Sequence, residues 1–265
     1  MAGNIVTLTT DFGHSDHYVG TMKGAILNVN PEAKLVDICH DVRPYDILDG
    51  AFAIAQAYQY FPPRTIHLVL VDPGVGSSRR PLLVTTVKHI FVAPDNGVLS
   101  LIFAREEATV YHINATHYFL ESVSSTFHGR DVFAPVAGWL SRHVEPSKFG
   151  EPITDFARFS APQPKKVNER LLKGLVLHVD RFGTLLTNLT PDDLPQLSAE
   201  NPPPIKILVG KSEITKMHVS YSEGAPGEIF AIMGSTGYLE IAANRASASQ
   251  SLGVGKGAEV AVILG

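Results

Sequence analysis

Two rhythms of apolar and polar positions divide the chain. In the first half, short apolar runs alternate with helix-spaced stretches. Residues 4–10, Asn-Ile-Val-Thr-Leu-Thr-Thr, are rich in β-branched side chains and read as a strand that stops at the turn Asp11-Phe12-Gly13. Val19, Met22, Ala25 and Ile26 recur at helical spacing within 18–29. Lys34 to Ile38 reads as a second strand, and Asp46 stands where it can cap a long helix that ends near Phe61, before Pro62-Pro63. Thr65 to Val71 is a continuous apolar strand of the kind buried on both faces of a parallel sheet. Strands near 82–87 and 90–93 follow, and Asp95-Asn96-Gly97 turns the chain toward another helix. This β-α-β-α-β order predicts an α/β sandwich domain over 1–160.

Residues 158–169 carry prolines and charges without apolar period, so 161–169 read as a linker. Beyond it, 170–265 is predicted to be a smaller all-β, barrel-like domain. Its expected strands are 173–179, 184–189, 205–209, 213–221, 228–233, 237–242 and 258–264, with one short helix at Pro191–Leu197.

Composition narrows the classes of function. The 265 residues suffice for two domains, and 45% of them are hydrophobic. Charged residues are 18% and the net charge is −4. The densest basic runs, Arg79-Arg80 and Lys165-Lys166, are too short for a nucleic-acid backbone, so no nucleic-acid partner is expected. No 18-residue apolar run is present, so no membrane partner is expected either. Cys39 is the single cysteine, which excludes an internal disulfide and suits a reducing compartment. Met1-Ala2-Gly3-Asn4 has no basic lead-in and does not read as a signal peptide, so a cytoplasmic location is expected.

Four stretches carry candidate chemistry. Asp72-Pro73-Gly74-Val75-Gly76-Ser77-Ser78-Arg79-Arg80 follows the buried strand, where open α/β sheets bind ligands. It lacks the Gly-Lys-Ser/Thr ending of a phosphate loop, which disfavours a nucleoside triphosphatase. Taken alone it is a tight turn with one solvated acid. Ser124 to Pro135 contains Phe127-His128-Gly129-Arg130-Asp131, which can present an imidazole at a helix start or hold a capping His beside a local Arg130–Asp131 ion pair. Asp11 and Asp16 share a strand-to-helix loop and can hold ribose hydroxyls and an ammonium, or make Asx turns. His178 to Asn188, with Gly234 to Asn244, gathers polar residues at strand ends, as ordinary β-turns also do. His14 and His17 with Asp16, and His40 with Asp37 and Asp41, do not match zinc-ligand spacing, so no metal is expected.

In combination these motifs resemble the S-adenosylmethionine hydroxide adenosyltransferase family, relatives of the fluorinating and chlorinating enzymes that use the same substrate. The matching segments are Thr10-Asp11-Phe12-Gly13 with Asp16 and Tyr18-Val19-Gly20, then Asp72-Pro73-Gly74-Val75-Gly76, Asp95-Asn96-Gly97, Phe127 to Asp131, Asp180-Arg181-Phe182-Gly183 and Gly237 to Ala242. They run in the family's order across nearly the whole chain. The resemblance implies a small-molecule substrate, no cofactor, and a homotrimer with sites at subunit interfaces. It implies that water attacks S-adenosyl-L-methionine at the 5′ carbon, giving adenosine and L-methionine. Asp72, Arg79 and His128 would position and activate that water; the halogenating branch has other residues at the Asp and His positions. Asp11 would hold the ribose. Asp16, Asp180 and Ser235 would hold the amino-acid end, and Thr126 and Phe127 would line the ribose and reacting carbon. Asn244 and Arg245 would lie beside adenine. Thr184 stands where relatives usually carry an adenine-contacting Asn. The alternatives to hydrolysis are halide-dependent adenosyl transfer and a non-catalytic binding protein.

Overall fold

The computed structural model describes residues 4–198 and 203–265. The chain divides into two compact units, Met1–Ala161 and Pro162–Gly265.

The first unit is an α/β sandwich. Its strands are β1 (Ile5–Thr10), β2 (Lys34–Cys39), β3 (Ile66–Leu70), β4 (Pro81–Thr85), β5 (Ile90–Pro94), β6 (Thr109–His112) and β7 (Pro152–Ile153). They form one sheet in the order β2-β1-β3-β5-β4-β6-β7. Pairing from β2 to β5 is parallel, and β4, β6 and β7 extend the sheet antiparallel. Side chains alternate across the pleat. Ile66, Leu68 and Leu70 pack with α1 (Tyr18–Val29) and α4 (Ala134–Ser141) on one face. Val69 and Val71 pack with α2 (Ile47–Ala57) and α3 (Ser100–Phe103) on the other. Burial on both faces explains the unbroken apolar run of β3.

Asp46 caps α2 as its position predicts, accepting Asp49 N–H at 3.0 Å. A 3₁₀ turn, Tyr58–Tyr60, carries the helix toward Phe61. The helix after Asp95-Asn96-Gly97 is a single turn, Ser100–Phe103.

The second unit is an antiparallel sheet of β8 (Lys165–Lys166), β9 (Leu171–Val179), β10 (Leu185–Thr187), β11 (Ile205–Val209), β12 (Ser212–Ile214), β13 (Ile229–Met233), β14 (Leu239–Ala243) and β15 (Glu259–Leu264). Its order is β12-β11-β15-β9-β10-β14-β13, with β8 on β9. Met217, just past β12, bridges to Ala231 on β13, so the sheet curls back toward itself as in a barrel. Ile205, Ile207 and Val209 point inward on alternate positions of β11 and share a core with Val176, Ile241 and Val262.

Four expectations differ from the structure. The predicted strand 213–221 stops at Ile214; past one bridge the chain turns into a short 3₁₀ helix, Tyr221–Glu223. The helix expected at Pro191–Leu197 is only a 3₁₀ turn, Pro195–Ser198, because Pro195 brings no N–H to a longer helix. A real helix, α5 (Ala248–Leu252), lies in a stretch of small polar residues without apolar period. Ser247 caps it by accepting Gln250 N–H, and Gly253 closes it at φ 65°. Within the expected linker, Lys165–Lys166 pair with Leu172 and Lys173 as a strand.

Candidate active site

Parallel register sets the first residues. Thr10 on β1 lies opposite Leu70 on β3, so Asp11 and Asp72 leave neighbouring strands at the carboxyl edge of the sheet. The loop after Asp72 folds back on itself: Val75 N–H donates to Asp72 O, and Ser77 Oγ donates to Gly74 O at 2.7 Å. This return brings Arg79 onto Asp72. Arg79 Nε donates to Asp72 Oδ1 at 2.9 Å, and Nη2 makes a short bond to Oδ2. Both side chains are buried, at 8% and 7% exposure, and the contact is the two-pronged fork that guanidinium and carboxylate geometry favours.

Arg79 Nη2 also meets His128 Nδ1 at 3.0 Å. Arginine has only donors, so Nδ1 accepts and neutral His128 carries its proton on Nε2. Burial lowers the His128 pKa first, and the Arg79 charge lowers it further; Asp72 and Asp131 oppose both. The imidazole is therefore neutral near pH 7. Arg79 Nη1 is buried and has no partner among the described residues.

Local contacts fix the His128 segment. Asp131, with no exposed surface, pairs with Arg130 and accepts Ser124 N–H at 2.8 Å. The local Arg130–Asp131 ion pair predicted from sequence is thus present, and it closes the 124–131 loop. His128 then enters a π-helical turn, Gly129–Phe133, of a type often found at functional positions. Gly76, at φ 79°, approaches this segment so closely that a Cβ would collide with Ser125 O.

These elements enclose a cavity of about 380 Å³ lined by Asp11, Tyr45, Asp72, Thr126, Phe127 and His128, among others. Asp11 Oδ2 accepts Tyr45 N–H at 2.8 Å, where Tyr45 holds φ 67°. Burial raises the Asp11 pKa, the Tyr45 N–H opposes it, and the charge of Asp72 adds to the rise. Phe12, Tyr18 and Phe127 form an aromatic wall with ring centroids 5.2–5.9 Å apart. Tyr18 and Tyr45 were not singled out as site residues from sequence. Tyr18 sits inside a matched motif, and Tyr45 has no such signal.

The second unit holds a separate cavity of about 650 Å³, lined by Asp180, Phe182, Thr184, Tyr221, Asn244 and Arg245, with Ala243 and Ala246. Asp180 Oδ1 accepts Phe182 N–H at 2.9 Å and Thr184 N–H at 2.8 Å, which shapes the turn. Asn244 spends its side-chain amide on Gly224 O at 2.6 Å. Phe182 and Tyr221 were missed as site residues from sequence. Asp16 and Ser235 are exposed and line neither cavity.

The other histidine clusters are tied to neighbours. His40 Nδ1 bonds Thr10 Oγ1 at 2.8 Å, and His40 Nε2 lies 2.9 Å from Asp37. His17 bonds Thr21 at 3.2 Å. Among the described residues, no three His, Cys, Asp or Glu side chains are arranged to hold a metal ion. No helix among them is long and apolar enough to cross a membrane.

Residues 6–150 match the SAM hydroxide adenosyltransferase N-terminal domain, and residues 174–261 match its C-terminal domain. The chain belongs to the S-adenosylmethionine hydroxide adenosyltransferase family. It is 37% identical over 196 residues to a protein of Methanocaldococcus jannaschii named (R)-S-adenosyl-L-methionine hydrolase, covering 72% of this chain and 69% of that one. A Salinispora tropica protein of the same name is 32% identical, with 98% of each chain covered. A fluorinase of Nocardia brasiliensis is 26% identical, with 98% and 97% covered. Among solved structures, a conserved protein from Thermotoga maritima superposes with a TM-score of 0.90 at 35% identity, covering 98% and 99% of the two chains.

Proposed function

We propose that the protein hydrolyses S-adenosyl-L-methionine. The oxygen of water bonds to the 5′ carbon, the C5′–S bond breaks, and sulfur keeps the electron pair and departs as neutral L-methionine. Adenosine is the other product, and one proton is released. The observation that carries this reading is the Asp72–Arg79–His128 cluster, in which Asp72 and His128 line a cavity and Arg79 bridges them. It suits water better than a halide, because its groups take and give hydrogen bonds to an oxygen.

The sulfonium is already a good leaving group, so no general acid and no cofactor are needed. Catalysis consists of holding water in line behind the 5′ carbon, and orientation of this kind supplies about 7–11 kcal/mol in favourable reactions. Arg79, behind Asp72 and His128, keeps the Asp72 carboxylate ionised, and its positive charge stabilises the growing hydroxide character of the water. His128 accepts from Arg79 through Nδ1, which fixes its ring and leaves Nε2–H as a donor. The remaining acceptor of the cluster is Asp72, which takes the water proton. Asp11 holds the ribose, while Thr126 and Phe127 flank the reacting carbon. Asp16, Asp180 and Ser235 serve the amino-acid end, and Thr184, Asn244 and Arg245 serve adenine.

Apart from Arg79, Asp16 and Ser235, these groups line two cavities, one in each unit. That division favours a homotrimer in which the first unit of one subunit and the second unit of its neighbour share a substrate. A cytoplasmic setting suits both the substrate and the lone Cys39. The test is to incubate the protein with S-adenosylmethionine, with and without chloride, and to separate the products. Adenosine and methionine in equal amounts, independent of chloride, support the reading. A dominant 5′-haloadenosine or methylthioadenosine, or tight binding without turnover, overturns it.

A further inference from the structure

Glu240 is the second residue of β14, between Leu186 of β10 and Ile232 of β13, and is 5% exposed. A carboxylate there faces a large desolvation cost unless polar groups reach it. Two hydroxyls do. Tyr221 Oη donates to Oε2 at 2.7 Å, and Thr236 Oγ1 lies 3.4 Å from Oε1. Gly234 makes room for the carboxylate: a Cβ at that position would collide with it. Tyr221 begins the short 3₁₀ turn Tyr221–Glu223, and its residue lines the cavity of the second unit. The far end of this segment is tied down separately, by Asn244 Nδ2 donating to Gly224 O. Burial raises the Tyr221 pKa, and the bond to Glu240 raises it further, so the phenol stays protonated and keeps donating.

We infer that Glu240 is a positioning residue for substrate recognition: from beneath the cavity it holds the Tyr221 phenol, and so sets the wall against which the purine of S-adenosylmethionine rests. Glu240 does not touch the purine. It acts through Tyr221, while the Asn244 tie keeps the rest of the loop in place. The inference rests on the proposed reading that this cavity receives the adenine end.

Adenosine is the probe, with binding measured by calorimetry alongside steady-state kinetics on S-adenosylmethionine. Losing a hydrogen bond to a charged group corresponds to roughly tenfold. Tyr221→Phe and Glu240→Ala should each weaken adenosine binding roughly tenfold and raise KM by a similar factor, with kcat nearly unchanged. The double variant should be no worse than either single one. Glu240→Gln keeps an acceptor oxygen and should recover most of the affinity. Tyr221→Phe keeps the ring and the packing, so it carries the test even if Glu240→Ala fails to fold. Additive losses, a fall in kcat with KM unmoved, or wild-type binding by Tyr221→Phe would overturn the inference alone. Failure of the wild-type protein to bind adenosine would overturn the functional reading, and this inference with it.

Discussion

Replacing Arg79 by Met removes the hub of the cluster while keeping much of its aliphatic volume. Asp72 is 7% exposed and loses both prongs of its fork. Breaking a buried ion pair from one side typically costs about 3–5 kcal/mol, because the other charge stays buried and unpaired. His128 loses its donor at Nδ1 and the positive charge that helps depress its pKa, while Asp72 and Asp131 still act to raise it. Its pKa should therefore rise from below 6.5 toward or above that value. In the wild type the folded pKa lies below the unfolded one. The stability tied to neutral His128 is thus full above 6.5 and is lost as pH falls toward the folded value. In Arg79→Met that window closes or reverses. Turnover should fall by roughly 10²–10³, the size of effect seen when a group that stabilises a developing oxyanion is removed. The assay is a pH titration of the His128 ring by NMR on histidine-labelled protein, which needs no turnover, with urea unfolding run in parallel. The double variant Arg79→Met/Asp72→Leu removes the stranded charge and should regain part of the lost stability. If His128 titrates identically in wild type and Arg79→Met, or if single and double variants are equally stable, the description of the cluster is wrong.

Gly76→Ala should disrupt the site without touching a charged residue, because the new Cβ collides with Ser125 O at φ 79°. A loss of about 2 kcal/mol in stability together with a fall in kcat is expected by thermal melting and kinetics, and a neutral outcome would contradict the close approach. Burial, with a smaller push from His89, holds the His67 pKa at about 3, so acid should destabilise the first unit as pH falls from 6.5 toward that value. The full effect is of the order of 5 kcal/mol. His67→Asn should flatten the pH dependence of urea midpoints, and an unchanged slope would exclude His67 as its source. Co-expressing inactive Asp72→Asn and Asp180→Ala chains should restore part of the activity if one site draws on two subunits. No recovery in mixed assemblies would count against the shared site.

Much of the first unit was legible because its signals are local. Asp46 caps its helix where the sequence places it, and the apolar run of β3 announces burial on both faces. Asp72 stood out at a strand end just before the turn Pro73-Gly74, and His128 stood out beside Gly129 at a helix start. Their meeting through Arg79 is a tertiary fact that no local pattern encodes. The His128 tautomer depends on that meeting, because Nδ1 accepts from Arg79. In the second unit α5 was hidden because Ala-Ser-Gln-Ser has no apolar face, although the Ser247 cap and Gly253 stop were present. The 213–221 stretch alternates like a strand, but the bond from Tyr221 to Glu240 draws it away from one. Glu240 itself gave no warning, since a glutamate in a strand normally reads as solvent-facing.

The most direct test of water attack at the 5′ carbon is single-turnover hydrolysis in H₂¹⁸O with mass analysis of both products. The heavy oxygen should appear in the 5′ hydroxyl of adenosine and be absent from methionine. Unlabelled adenosine, label in the amino-acid fragment, or methylthioadenosine as the main product would contradict the account.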